Sequence, residues 1–161
     1  MKACVLMMSA VAALSACGET RDPALEWVGS YRLNGTTTWI CSDFPAETDP
    51  VADVLAVTAV VAGEVNFNID DDSCAPFSAR VKDDRVTVQP KVCPPGALRE
   101  GFSEETTAGE FRQVSTGKDL EGHLVVKSFS GSYSYTWSYS GDVNVGPYSC
   151  SATDTLTGAR I

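Results

Sequence analysis

The chain has 161 residues, of which 43% are hydrophobic and 9% aromatic, a balance that fits one folded domain and excludes an intrinsically disordered chain. Its 21 acidic and 12 basic side chains give a formal net charge of −9, which makes nucleic acid a poor partner for its surface.

The first 16 residues have the order of a signal peptide. Lys2 supplies a positive charge, and Ala3 to Ala13 form an apolar stretch too short to span a bilayer. Leu14-Ser15-Ala16-Cys17 follows and resembles the lipobox of bacterial lipoproteins. The resemblance implies cleavage after Ala16, a diacylglyceryl thioether on the Cys17 sulfur, and acylation of the Cys17 amine by a fatty acid such as palmitate.

The lipobox implies an address in the cell envelope. Several acyl chains anchor a protein far more firmly than one, so we expect the membrane to be a partner through Cys17. Gly18, in place of the Asp that often retains such proteins in the inner membrane, favours the outer membrane in a cell that has two. We interpret residues 17–26 as a lipidated N-terminus and tether, and residues 27–161 as a single β domain.

The first strand of that domain is predicted over Trp27 to Cys41, where Tyr31, Trp39 and Cys41 share one parity. Its start, Trp27-Val28-Gly29-Ser30-Tyr31, resembles the lipocalin opening, in which Gly-x-Trp begins the first strand. Tyr31 stands where that family has Trp. The resemblance implies a barrel with an apolar ligand inside.

Two more strands are predicted before residue 70. Val51 to Ala62 follows Asp49-Pro50, which also suits a helix start. Its run of Val and Thr residues and the turn at Ala62-Gly63 favour a strand instead. Val65 to Ile69 then alternates apolar with polar residues, the pattern of a half-buried strand.

A hairpin is predicted around Asp83-Asp84, which separates alternating segments over 77–82 and 85–90. With a two-residue turn, Val81 faces Val86 on one side of the sheet. Asp-Asp is not an ideal pair for so tight a turn, which leaves a shift of one residue open.

Four cysteines remain in the domain once the leader is removed and Cys17 carries lipid. An even number in an oxidising compartment indicates disulfides, whereas zinc is disfavoured because no two of them form a C-x-x-C pair. The hairpin register, carried outward, places Cys74 opposite Cys93 and predicts that bridge. Cys41 is then left to pair with Cys150, which would join the first strand to the last.

A long polar connection is predicted from Cys93-Pro94-Pro95-Gly96 to about Gly109. Strands over Phe111 to Ser115 and Leu120 to Phe129 follow, around a turn near Gly117. They precede the most regular segment of the chain.

Gly131 to Gly141 alternates with a period of two throughout. Ser130-Gly131 is predicted as a two-residue turn that sets Val126 opposite Tyr135. A last strand from about Tyr148 to Leu156 completes an all-β fold. We expect about eight or nine strands in an antiparallel meander that forms a closed or nearly closed barrel stapled by two disulfides, with a β-sandwich as the alternative.

Four aromatic residues of that regular segment share one face, namely Tyr133, Tyr135, Trp137 and Tyr139. Aromatic rings with polar tips stack on ligands and line pockets, so these are the candidate ligand-binding residues. The same pattern suits a barrel core, and that alternative stays open.

No catalytic, metal or cofactor site is predicted. His123 is the single histidine, and its parity with Val125 and Lys127 predicts a surface position. The oxygen-rich run from Asn66 to Asp72 lacks the central Gly and closing Glu of an EF-hand. Nucleophile-elbow, zincin, Walker and dinucleotide motifs are absent from the sequence. We expect a non-enzymatic protein with no cofactor beyond the covalent lipid.

Two functions remain compatible with the sequence. The first is a lipid-anchored envelope protein that binds a small apolar or aromatic-stacking ligand, which predicts a cavity beside Tyr133 to Tyr139. The second is a structural or protein-interaction lipoprotein with a filled barrel and no ligand. Fold alone does not choose between them.

Overall fold

The structure, a computed structural model, describes residues 21–161 except 43, 71–73, 94–100 and 142–145, and leaves the side chains of 107 and 108 undescribed. The leader, the lipobox and Cys17 lie outside the described residues. Within this part of the chain, no helix is long and apolar enough to cross a membrane.

One short helix precedes the strands in the described ranges: α1 (Ala24–Trp27). The strands are β1 (Gly29–Cys41), β2 (Glu47–Val51), β3 (Val54–Val61), β4 (Glu64–Ile69), β5 (Phe77–Lys82), β6 (Arg85–Val88), β7 (Lys91–Val92), β8 (Phe102–Lys118), β9 (Leu124–Tyr139) and β10 (Tyr148–Arg160).

The strands close into an antiparallel barrel. The order of pairing is β1, β3, β4, β5, β6, β8, β9 and β10, and β10 pairs back onto β1. Two positions in this ring are each shared by two strands, because β2 and β3 pair with successive parts of β1 and β6 and β7 with successive parts of β8. Closure of this kind removes the free edges of a sheet. The predicted all-β barrel is therefore confirmed.

The predicted hairpin and both disulfides are also confirmed. Val81 pairs with Val86 across β5 and β6, and Asp83 in the turn has φ 54°, a left-handed conformation that Asp tolerates. The two bridges are Cys74–Cys93 and Cys41–Cys150, with Cα atoms 5.1 and 4.0 Å apart.

The predicted turn at Ser130-Gly131 is wrong, because both residues lie inside the continuous strand β9. Val126 therefore does not face Tyr135. A Cβ atom on Gly131 would lie 2.1 Å from the carbonyl oxygen of Glu110. The absence of a side chain at Gly131 allows the backbones of two strands to approach closely, which is a known role of glycine within a strand.

The predicted loop up to Gly109 is also wrong, because Gly109 lies within a strand at a close approach to its neighbour and does not mark the end of a loop. β8 begins at Phe102 and runs through Gly109, where an added Cβ would lie 2.5 Å from the Cβ of Tyr133. The turn between β8 and β9 lies at residues 119–123, beyond Gly117. There the Asp119 carboxylate accepts the backbone N–H of Glu121 and of His123, at 3.0 and 2.8 Å.

The predicted strand over 51–62 is divided in two. Val51 ends β2 and Val54 begins β3, and between them the carbonyl of Asp53 accepts the backbone N–H of Leu33 at 2.8 Å. The chain thus passes at this point from pairing with the second half of β1 to pairing with its first residues.

Folded structure begins before the predicted boundary at residue 27. Ala24 and Trp27 in α1 are fully buried. The carboxylate of Asp22 accepts the backbone N–H of Gly63 at 2.9 Å and that of Ala24 at 2.9 Å. The last part of the predicted tether is therefore packed on the barrel.

We call the end of the barrel beside α1 the closed end. The Trp27 and Tyr31 rings pack on Phe129 with centroids 5.8 and 5.2 Å away. Burial raises the pKa of Tyr31 to about 12, against the opposing effect of Arg160. Its hydroxyl therefore keeps its proton and donates to the carbonyl of Trp27 at 2.8 Å.

Arg160, near the end of β10, ties this end together. Its guanidinium donates to the carbonyls of Glu26, Val28 and Val126 at 2.9, 2.7 and 2.7 Å. It also donates to the Tyr31 hydroxyl at 2.7 Å and lies over the Tyr31 ring. One side chain thus connects α1, β1, β9 and β10.

Candidate functional site

The four candidate aromatic residues run along the inner face of β9 from the core to the opposite, open end. Tyr133 is 8% exposed and packs on Phe77 and Phe111, so it belongs to the core. Tyr135, Trp137 and Tyr139 are half-buried. Tyr135 packs against the buried core as well, and of the four candidates Trp137 is the one that lines the pocket described below. The core alternative therefore applies to Tyr133 and Tyr135, and the pocket alternative to Trp137.

Aromatic side chains from other strands join the half-buried part. Trp39 of β1 meets Tyr135 and Trp137 edge to face, with centroids 5.6 and 6.1 Å apart. Tyr148 of β10 meets Trp137 at 5.5 Å, and Phe44, before β2, meets Tyr148 at 6.2 Å. The cluster lies beside the Cys41–Cys150 disulfide, because Cys150 pairs with Trp137 across β10 and β9.

A pocket of about 350 Å³ opens within this cluster. We call it the open-end pocket, and it is lined by Trp39, Cys41, Phe44, Pro45, Glu47, Asp49, Trp137 and Tyr148. Its volume is at the small end of the range of roughly 300–1,000 Å³ that ligand pockets occupy.

Strand pairing explains the two carboxylates in the pocket. β2 pairs with β1 so that Glu47 faces Trp39 and Asp49 faces Thr37. Thr37 is only 5% exposed and points into the barrel. Glu47 and Asp49 therefore share the inward parity, although both remain exposed at this end.

The centre of the barrel is filled. The apolar space between Leu33, Phe67 and Tyr133 measures about 10 Å³, which is the room needed by about one water molecule. A small organic ligand does not fit there.

A second groove, of about 580 Å³, lies on the outer face of the barrel near the open end. Outward-facing side chains such as Ile40, Thr136 and Ser151 line most of it, and Trp137 also contributes. Its volume is larger than that of the open-end pocket, but among the described residues Trp137 is the one aromatic residue in its lining.

Trp137 carries an unsatisfied polar group. Among the described residues, its Nε1–H is the one buried side-chain nitrogen or oxygen without a hydrogen-bond partner. Such a group costs about 1–3 kcal/mol when left unpaired.

A buried carboxyl lies deeper in the barrel. Asp154 is 5% exposed and accepts a hydrogen bond from the Thr37 hydroxyl at 2.6 Å. Burial raises the pKa of Asp154, while the hydroxyls of Thr37 and Tyr133 act in the opposite direction and the charge of Asp53 adds to the rise.

None of the other described candidates from the sequence lines the open-end pocket. His123 is exposed in the turn before β9, 3.4 Å from a carboxylate oxygen of Asp119. Asn66 and Asn68 lie on β4, while Asp71 and Asp72 fall outside the described residues. In the described ranges no group of three or more His, Cys, Asp or Glu side chains could hold a metal ion.

Trp39, Glu47 and Asp49 line the open-end pocket but are not predicted from the sequence as members of a site. The usable signal was the parity of Trp39 with Cys41, because a Cys41–Cys150 bridge places both on the inner face. No known protein family and no curated protein matches the chain. Its chemistry therefore has to be inferred from its own residues.

Proposed function

We propose that the chain is an exported, lipid-anchored envelope protein that binds a small aromatic-stacking ligand at the open end of its barrel. The observation that carries the proposal is the open-end pocket, about 350 Å³ beside Trp39 and Trp137. Aromatic side chains bury large areas at little conformational cost, and here they are left half-buried.

The position of the pocket determines how such a ligand would be held. Because the barrel centre is filled, a ligand would insert between the rings at the end of the barrel and remain partly in contact with water. We therefore expect reversible binding of moderate affinity.

The cysteines support export. The four cysteines of the barrel are joined in two disulfides, which suits an oxidising compartment. Cys17 is then available for the lipid that its lipobox implies. Mass analysis of the mature N-terminus would test this part, since a lipidated Cys17 adds the mass of its acyl groups and Cys17→Ala should leave the chain unanchored.

Native mass spectrometry of the matured chain, incubated with a small-molecule extract of its own envelope, tests ligand binding. We expect a small retained mass that is lost in Trp39→Leu, because Trp39 lines the open-end pocket and does not line the outer groove. The matched control is Ile40→Ala, because Ile40 neighbours Trp39 in the sequence but faces the outer groove. Loss of the mass in Ile40→Ala alone would move the site to that groove.

The filled centre favours a second candidate function, a structural or protein-interaction lipoprotein without a ligand. The space of about 10 Å³ around Tyr133 is its supporting observation. A chain with both disulfides formed and no retained mass from its own envelope would favour this alternative.

A further inference from the structure

The open-end pocket combines aromatic rings with carboxylates. The rings of Trp39 and Trp137 are inclined by 80°, and those of Trp137 and Tyr148 by 78°. Rings at such angles present their faces in more than one direction. Glu47 and Asp49 complete the lining.

The charged residues that line this pocket, Glu47 and Asp49, have one sign. Among the described residues, no lysine or arginine lines it. Lys91 on β7 does not line the pocket. Its ammonium group donates to the carbonyls of Cys74 and Pro76 and lies over the Phe77 ring, with Nζ 5.4 Å from the ring centroid. The whole chain carries a net charge of −9, so the surrounding field also attracts cations.

We propose that the open-end pocket takes an organic cation with an alkylated ammonium head. This inference rests on the proposed function and names the ligand class for the same site. The face of an aromatic ring carries partial negative charge and attracts a cation within about 6 Å of its centre. An alkylated ammonium also has the apolar surface that stacks on rings, whereas a bare ammonium ion is strongly hydrated.

The rings and the carboxylates have separable roles. Trp39 and Trp137 hold the head by contact, an attraction that salt screens little. Glu47 and Asp49 are exposed, so their contribution is long-range and weakens as salt is added. An anionic ligand is disfavoured by both groups.

The test uses the matured full chain in a nonionic detergent, with choline and its uncharged isostere 3,3-dimethylbutan-1-ol as probes. Binding is followed by tryptophan fluorescence, in which buried Trp27 contributes a constant background. At low salt we expect choline to bind at least about tenfold more tightly than the isostere, since cation–π attraction adds about 0.5–2 kcal/mol to the attraction of the carboxylates.

Variants separate the two roles. Trp39→Leu, which alters the open-end pocket but not the outer groove, should weaken choline binding by about tenfold. Glu47→Gln combined with Asp49→Asn should weaken it by about three- to tenfold and remove most of its salt dependence. The charge-matched control is Asp83→Asn combined with Glu105→Gln, which alters the β5–β6 turn and the outer groove and should leave binding unchanged.

Equal or tighter binding of the uncharged isostere at this pocket would overturn the cation inference and leave the proposed function standing. Failure of both probes to bind, together with a native mass spectrum that shows no retained ligand, would overturn both. An equal loss of choline binding in the carboxylate pair and in its charge-matched control would also overturn the inference, because it would reduce the effect to net charge.

Discussion

At the closed end of the barrel Trp27, Tyr31 and Phe129 are at most 1% exposed, whereas at the open end Trp39 and Trp137 are only half-buried. Both ends are rich in aromatic rings. At the closed end α1 covers the rings, and at the open end nothing among the described residues does. Burial of the first set stabilises the fold, and exposure of the second leaves surface for a ligand.

The two ends also differ in how they are held together. Arg160 joins four elements of the closed end through hydrogen bonds. The open end has the disulfides instead. Cys150 pairs with Trp137, and the backbone N–H of Cys93 donates to Glu104, which also pairs with Trp137. Covalent bonds thus stabilise the end of the barrel where fewer side chains are fully buried.

Removal of the Cys41–Cys150 bridge should have the largest effect. The bridge spans 109 residues, and loss of a loop of that size costs about 4–5 kcal/mol in the chain-entropy argument. We expect Cys41→Ser combined with Cys150→Ser to lower the free energy of unfolding by this amount, measured by urea denaturation.

The second bridge provides the control. Cys74–Cys93 spans only 19 residues, and its removal should cost about 3 kcal/mol. If the two paired variants lose equal stability, loop length is not what makes the first bridge stabilising. In the variant without the Cys41–Cys150 bridge, amide hydrogen exchange should become faster first near Trp137, while amides around Tyr31 stay protected.

Arg160→Ala should have the next largest effect, at the closed end. Hydrogen bonds to a charged group contribute about 1.5–3 kcal/mol, and the carbonyls of Val28 and Val126 would lose the guanidinium as a donor. We expect a loss of about 3 kcal/mol in the free energy of unfolding and a smaller loss for Arg160→Lys, which keeps the charge but not the planar fork.

A surface ion pair gives the matched comparison for Arg160. Arg80 contacts Glu64 at 3.3 Å with its side chain 69% exposed. Arg80→Ala should cost less than about 1 kcal/mol. A loss in Arg160→Ala no larger than that would show that the closed end is held by packing alone.

The closed barrel and its bridges could be predicted from the sequence because their signals are local. The alternation on both sides of Asp83-Asp84 fixes a register, and this register brings Cys74 to Cys93. With one pair assigned, Cys41 had one partner left in the domain, and that bridge closes the sheet.

The open-end pocket could not be predicted in full, because it depends on pairing between distant strands. Glycine is common in turns, and Gly109 and Gly131 are therefore expected at the ends of strands. Both lie instead within strands, where the backbones of β8 and β9 approach closely. That distinction requires the neighbouring strand. Glu47 joins the pocket only because β2 pairs with β1, which the residues around it do not reveal.

Asp154, inside the barrel between the two ends, gives the smallest expected effect. Because burial raises its pKa in the folded chain, the folded state binds this proton more tightly than the unfolded state. Its contribution to stability is therefore fully present below the ordinary carboxyl pKa of about 4 and is lost as the pH rises through the folded-state value.

Asp154→Asn removes this titration and keeps an oxygen to accept the Thr37 hydroxyl. We expect the free energy of unfolding of the natural chain to fall relative to that of the variant as the pH rises from about 4, measured by urea denaturation at a series of pH values. Asp49→Asn, at the exposed position opposite Thr37, is the control and should follow the natural chain. If Asp154→Asn also follows it, the carboxyl is hydrated from the open end, and the boundary between the packed and the open part of the barrel lies deeper than Asp154.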